Sequence, residues 1–236
     1  MLLAINGRSQ QVVPDSVQAT PGVQAAIHLY HTALSPENGL YNGSEYPYNQ
    51  YYPFRIAEGH PFLVSQIFAG GVVKYDGMVY QVPLLLDIAK GALVVRAPSN
   101  LYCMLDAKRV EWFQLHQYNF QHLRPDSSSW VHDGYYAVLD QGPATLYKAF
   151  LKTFTDNTNS SNTTYYRNVV EKDYFFIRKG GIYFRVRRKK GLLSVLADRR
   201  KEVQQFMRTH KIRIRKDPEN AFKNIVHFYN STRASD

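Results

Sequence analysis

Cysteine is all but absent. Cys103 is the single thiol in 236 residues, which excludes an intramolecular disulfide framework and any cysteine-built zinc site. It stands in the apolar run Leu101-Tyr102-Cys103-Met104-Leu105 with no cation beside it, so it reads as a buried, unreactive thiol. Long apolar runs are missing as well: no stretch approaches the roughly 18 residues a membrane-spanning helix needs. There is no glycine loop of the kind that follows a strand and cradles phosphate, and no nucleophile elbow. No catalytic residue, cofactor or metal can be named from motifs, and the expectation leans away from an enzyme.

The scattered polar residues do not change that. His28 and His31 lie three apart, a spacing that puts both on one face of a helix, but no nearby carboxylate completes a metal site. His60, His116, His122 and His132 are dispersed, and Ser127, Ser128 and Ser129 beside His132 and Asp133 read as loop polarity rather than a triad. Glu45, Glu58, Asp76, Asp87 and Asp106 are available as acids, with Asp76 already explained by a turn.

Acidic charge is scarce in one region only. Residues 1–164 carry ten Lys/Arg against twelve Asp/Glu, whereas residues 165–236 carry nineteen against seven. The net charge of +10 therefore belongs to the last third. A basic segment of this kind suits an acidic protein, an anionic lipid surface or nucleic acid, or is a solvated face.

Aromatic residues, by contrast, are plentiful. The chain has 18 Tyr and 13 Phe, residue types that pack well on pleated, half-buried surfaces. Met1 to Gln10 moves from a short apolar stub into small and polar residues, like the end of a secretory signal peptide. Residues 1–20 are thus expected to be a signal-peptide remnant or tether, and 21–236 a single β-rich domain. Thr20-Pro21 starts a short helix over about 21–34. Asn42-Gly43 and Asp76-Gly77 each sit between apolar or aromatic runs, the strongest short-range hairpin signal. Pro47, Pro53 and Pro61 bar residues 47–61 from forming one central strand. Further strands are expected at 84–88, 92–96, 101–106, 110–115, 118–123, 135–139 and 144–151, and Gly70-Gly71 reads as a turn. Residues 155–164 form a polar loop with glycosylation-type triplets at Asn159 and Asn162.

The clearest hairpin runs from Tyr174 through Gly180-Gly181 to Arg187. Its return strand alternates, with Ile182, Phe184 and Val186 toward a core and Tyr183, Arg185 and Arg187 on a basic outer face. A helix follows over about 192–209, and Asp217-Pro218 caps a second, with Phe222, Ile225, Val226 and Tyr229 on its buried face. The fold class expected is α+β, predominantly antiparallel: a hairpin meander forming a curved sheet, sandwich or open barrel, with a short N-terminal helix and two C-terminal helices.

The stretch from Val72 to Asn230 resembles an uncharacterised family of exported β-rich proteins from Bacteroidetes-type bacteria. The resemblance is carried by Tyr75-Asp76-Gly77-Met78-Val79-Tyr80, Leu93-Val94-Val95, Val110-Glu111-Trp112-Phe113 and Gly134-Tyr135-Tyr136-Ala137-Val138-Leu139 followed by Gly142. Tyr174-Phe175-Phe176-Ile177, Leu192-Leu193-Ser194-Val195-Leu196 and His227-Phe228-Tyr229-Asn230 continue it. Leu86-Asp87-Ile88 departs from the pattern. The resemblance implies export, a β-rich fold and C-terminal helices, and no activity.

The function expected is a non-enzymatic exported protein, in the periplasm or outer envelope, that binds or scaffolds envelope components. The alternative is a nucleic-acid-binding module using residues 178–216. The binding surface expected is Tyr183, Arg185, Arg187, Arg188, Lys189 and Lys190. An envelope protein or acidic surface is placed ahead of nucleic acid as its partner.

Overall fold

The computed structural model describes residues 39–124, 131–156 and 166–231. The helix over 21–34, His28, His31, Ser127 to Ser129 and the triplets at Asn159 and Asn162 lie outside them. The chain divides into two compact units, Met1–Gly39 and Leu40–Asp236. Every strand and α-helix of the described residues belongs to the second unit.

Helix α1 (Tyr48–Tyr51) and strand β1 (Arg55–Glu58) occupy the proline-marked stretch. Ten strands come after it: β2 (Ala69–Tyr75), β3 (Met78–Asp87), β4 (Ala92–Arg96), β5 (Tyr102–Met104), β6 (Val110–Leu115), β7 (Tyr118–Leu123), β8 (Gly134–Asp140), β9 (Ala144–Asp156), β10 (Tyr166–Lys179) and β11 (Ile182–Val186). They form one open sheet in the order β1-β10-β9-β8-β7-β6-β2-β3-β4-β5, with β11 also on β10. All pairings are antiparallel except that of β1 with β10. Two meanders, β2 to β5 and β6 to β11, thus run outward from the central pair β2 and β6.

Turn chemistry sets the registers. Asp76 and Gly77 both have positive φ, 50° and 76°, as a two-residue hairpin turn requires, and Tyr75 faces Met78 across it. Gly180 and Gly181 do the same between β10 and β11. In the centre, Phe113 and Phe120 face each other on β6 and β7 with rings stacked at 4.7 Å, a cross-strand pair that adds to burial alone.

Several local expectations give way to long-range contacts. Asn42-Gly43 does not turn a hairpin. The segment runs beside β5 instead, with Met104 N donating to Ser44 O and Tyr46 N to Tyr102 O. A Cβ on Gly43 would lie 2.0 Å from the Met104 carbonyl, so this glycine serves close approach. Gly70-Gly71 is not a turn but part of β2, where a Cβ on Gly71 would meet Gln114 O at 2.7 Å. The strand expected at 84–88 is the end of β3, which passes unbroken through Pro83. Thr155 and Asp156, expected in a loop, close β9.

The C-terminal layer has three helices where two were expected: α2 (Lys189–Val195), α3 (Arg200–Thr209) and α4 (Pro218–Ser231). Helix α2 stops where Leu196 takes φ −98° and ψ 40°, and a 3-10 turn at Ala197–Arg199 re-aims the chain. Asp198 in that turn accepts from Lys179 Nζ at 2.6 Å and from Tyr229 OH at 2.7 Å, while Lys179 also donates to Val195 O. The bend lets Leu192, Leu193 and Leu196 and then Val203 and Met207 all reach one apolar cluster with Leu146, Phe175, Ile177 and Val186 of the sheet. Each fully buried side chain of this kind contributes about 1.5–3 kcal/mol, so the basic third of the chain is fixed to the core.

Asp217 caps α4 as expected, with Oδ1 accepting from Asn220 N at 3.1 Å. At the other end Asn230 is buried. Its side chain accepts from Ala144 N and donates to Ala144 O and Asp140 Oδ2. Gly142 is held to glycine by the same contact, because a Cβ there would lie 2.6 Å from Asn230 Cγ. Asn230→Ala leaves both buried Ala144 groups unpaired and is expected to cost about 2 kcal/mol, read as a lower urea midpoint with an unchanged slope.

Candidate functional site

Six of the basic side chains converge on one concavity. Strand β11 ends at Val186, and Arg187, Arg188, Lys189 and Lys190 leave it exposed on the way into α2. The chain between α3 and α4 brings Arg213 and Arg215 to the same place. Together they line a groove of about 470 Å³ whose apolar lining is Met207, Ile212, Ile214 and Pro218. Met207 and Ile214 are buried, which roots that lining in the helix cluster. None of the six cations forms an ion pair among the described residues. The carboxylates at the start of α4 are engaged elsewhere: Asp217 with Asn220, and Glu219 with Lys148.

The expected surface is therefore split. Arg187 to Lys190 belong to the groove, whereas Tyr183 and Arg185 do not line it. Tyr183 is half-buried against Tyr136, Tyr147 and Phe176, and Arg185 lies over the Tyr174 ring at 4.1 Å. Ile182, expected in the core, is 55% exposed. Arg213 and Arg215 fall within the expected 178–216 segment, but their place beside the hairpin depends on the bend at Leu196, where Asp198 holds Lys179 and Tyr229.

Arg185 belongs to a second cavity of about 460 Å³. Its wall combines the end of β3 and the turn after it (Asp87, Ile88, Lys90) with β8 to β11, including Tyr136, Leu151, Tyr174 and Phe176. Asp87 itself is fully buried and accepts Tyr46 OH at 2.5 Å, Tyr52 OH at 2.6 Å and Lys90 N at 3.0 Å. Burial, and then the bonds to Asp87, push both phenols far above their ordinary range, so they remain donors. On this anchor the aromatic segment from Tyr46 to Phe62 packs, with Lys90 Nζ 5.1 Å from the Tyr51 ring centre.

Neither protein-family models, nor curated proteins, nor solved structures yield a match to this chain.

The remaining candidates are accounted for locally. Cys103 is buried, and burial, then Glu45, pushes its thiol up. Asp133 pairs with His122 at 2.6 Å, and Asp76 with Arg109 just before β6. Among the described residues no group of three or more His, Cys, Asp or Glu could hold a metal ion. No described helix is long and apolar enough to cross a membrane.

Proposed function

We propose that this chain is a non-enzymatic binding protein whose working surface is the basic groove, and that the ligand is a phosphate polymer, nucleic acid. The observation that carries this reading is the convergence of Arg187, Arg188, Lys189, Lys190, Arg213 and Arg215, none ion-paired among the described residues, on one partly apolar concavity. Four of the six are arginines, whose planar forks match phosphate oxygens in pairs. Of the apolar lining residues, Met207 and Ile214 are buried and Ile212 is half-buried, and only Pro218 is exposed. A bilayer surface would want such residues projecting outward to insert. A strand laid in the groove can use them where they are.

Fluorescence anisotropy with labelled single-stranded and duplex oligonucleotides over a salt series tests this. Each phosphate contact steepens the fall of log K with log salt by about 0.7 on single strands and about 0.9 on duplex. Arg213→Gln with Arg215→Gln is expected to weaken binding at every sequence and to make the slope shallower by about 1–2. No binding at about 50 mM salt, where phosphate contacts are strong, removes the reading.

A second reading, the exported envelope scaffold, rests on the signal-like Met1 to Gln10 and on the resemblance from Val72 to Asn230. It expects the native protein in an envelope fraction with a partner, and recovery alone from cytosol opposes it.

We also infer that the sheet rolls into an open barrel. Residues 105–109 link β5 to β6 although β4, β3 and β2 lie between them in the order. In a flat sheet that span is about 19 Å, close to the full extension of so short a link. Yet Arg109 N bonds back to Asp106 O in a turn. The cavity shared by the end of β3 and by β8 to β11 then marks the seam that stays open.

A further inference from the structure

We propose that the cavity between the end of β3 and strands β8 to β11 is a second binding site, for a small aromatic molecule bearing an oxyanion. Arg185 is the group that asks for such a ligand. Its guanidinium lies against the Tyr174 ring at 4.1 Å, and its Nε is buried with no hydrogen-bond partner among the described residues. A buried donor on a charged group left unpaired is costly, and an arginine fork is shaped for the two oxygens of a carboxylate or phosphate.

The pairing within the lining points the same way. Two carboxylates contribute, and both are already satisfied. Asp87 holds two tyrosine hydroxyls and a backbone N–H, and Asp133 holds His122. Neither cation of the lining, Arg185 or Lys90, takes part in an ion pair among the described residues. Two cations stand against two carboxylates in the lining, but Arg185 is paired with neither, so its fork is open to an oxyanion.

The rest of the wall selects the body of the ligand. Tyr136, Leu151, Tyr174 and Phe176 supply apolar and aromatic surface around about 460 Å³, within the range of small-molecule sites and near its lower end. An aromatic ring fits beside these residues while its oxyanion meets Arg185. This site shares no lining residue with the basic groove, so it does not depend on nucleic-acid binding.

Calorimetric titration of the full chain with benzoate, phenyl phosphate and neutral benzyl alcohol tests the proposal. Saturable one-to-one binding of benzoate or of phenyl phosphate is expected, the stronger of the two identifying carboxylate or phosphate, with no saturation by benzyl alcohol. Arg185→Gln is expected to weaken that binding at least tenfold while leaving oligonucleotide binding unchanged. Leu151→Trp, which fills the cavity from a half-exposed strand position, gives the same loss with Arg185 intact. Failure of both anions to bind, equal binding of benzyl alcohol, or full affinity in both folded variants overturns it.

Discussion

Asp87→Ala is expected to lower the unfolding free energy by about 3–5 kcal/mol, because it strands buried donors that nothing else can satisfy. The carboxylate is fully buried and takes three donors, from Tyr46, Tyr52 and the Lys90 backbone. Bonds to a charged acceptor contribute about 1.5–3 kcal/mol each, and a buried hydroxyl left unpaired costs about 1–3 kcal/mol. Tyr52→Phe removes one donor and leaves the acceptor two, so about 1.5–3 kcal/mol is expected. Asp106→Ala is the comparison: its exposed carboxylate caps only Lys108 N, and a change within about 0.5 kcal/mol is expected for such a surface site. Urea melts of the three variants decide it. Equal stability of Asp87→Ala and Asp106→Ala contradicts the anchoring role. A second readout separates anchoring from general damage. The Asp87 variant should expose Tyr46 and Tyr52, so two phenols protected in the parent should ionise in the ordinary alkaline range.

The same carboxylate shows where local pattern stops being informative. Asp87 ends a strand and caps the turn after it through Lys90 N, but its tyrosine partners lie 41 and 35 residues earlier. Nothing in the spacing of Tyr46, Tyr48, Tyr51 and Tyr52 says that two of them point at one acid. What was legible was whatever is set by neighbours in sequence. The Asp76-Gly77 and Gly180-Gly181 turns demand positive φ, and only such residues tolerate it readily. Asp217-Pro218 starts α4 because both residues fit the free N–H groups of a first turn. The face Phe222, Ile225, Val226 and Tyr229 follows from helical periodicity and is fully packed. Asn42-Gly43 carries the same local signal as Asp76-Gly77 but lies alongside β5, because contacts with Tyr102 and Met104 outweigh the turn preference.

The candidate groove divides along the same line. Arg187 to Lys190 could be read as one basic cluster directly from their adjacency. Arg213 and Arg215 join them only because α2 breaks at Leu196 and α3 returns the chain beside it. That break is held by Asp198, Lys179 and Tyr229, three residues from three different elements. A continuous helix over 192–209 satisfies the apolar periodicity equally well, so periodicity alone cannot choose. Charge was likewise misjudged by position. Arg185 alternates with Arg187 on β11, yet the sheet continues past it as wall, and the side chain ends over Tyr174 in a cavity instead of in solvent.

Lys148→Ala is the other large effect expected, at about 2–4 kcal/mol, because it removes one buried charge from a group of three. Lys148 on β9 is 5% exposed and bonds Asp173 of β10 at 2.8 Å and Glu219 of α4 at 2.7 Å. Tyr118 OH reaches the same Glu219 oxygen at 3.2 Å. The lysine thus joins two strands to the first turn of the helix that carries the C-terminal layer. Its ammonium also sits 4.1 Å from the Phe150 ring centre, so part of the loss comes from packing of the stem. Lys148→Met keeps that packing and isolates the charge. Alone it strands two carboxylates and is expected to cost about 2 kcal/mol. Combined with Asp173→Asn and Glu219→Gln it should recover to within about 1 kcal/mol of the parent, since a neutral replacement of a whole buried group is often tolerated. Failure to recover would show that the ions themselves hold α4 to the sheet. The pH dependence has a definite sign. Burial opposes the charge on Lys148, but the bonds to Asp173 and Glu219 outweigh it and hold the ammonium above its ordinary value of 10.5. The folded state therefore binds this proton more tightly than the unfolded chain. Its contribution is complete below pH 10.5 and is lost as pH rises through the raised folded value. A stability profile of the parent should fall over that alkaline range more steeply than that of the triple variant, and parallel profiles would exclude Lys148 as the cause.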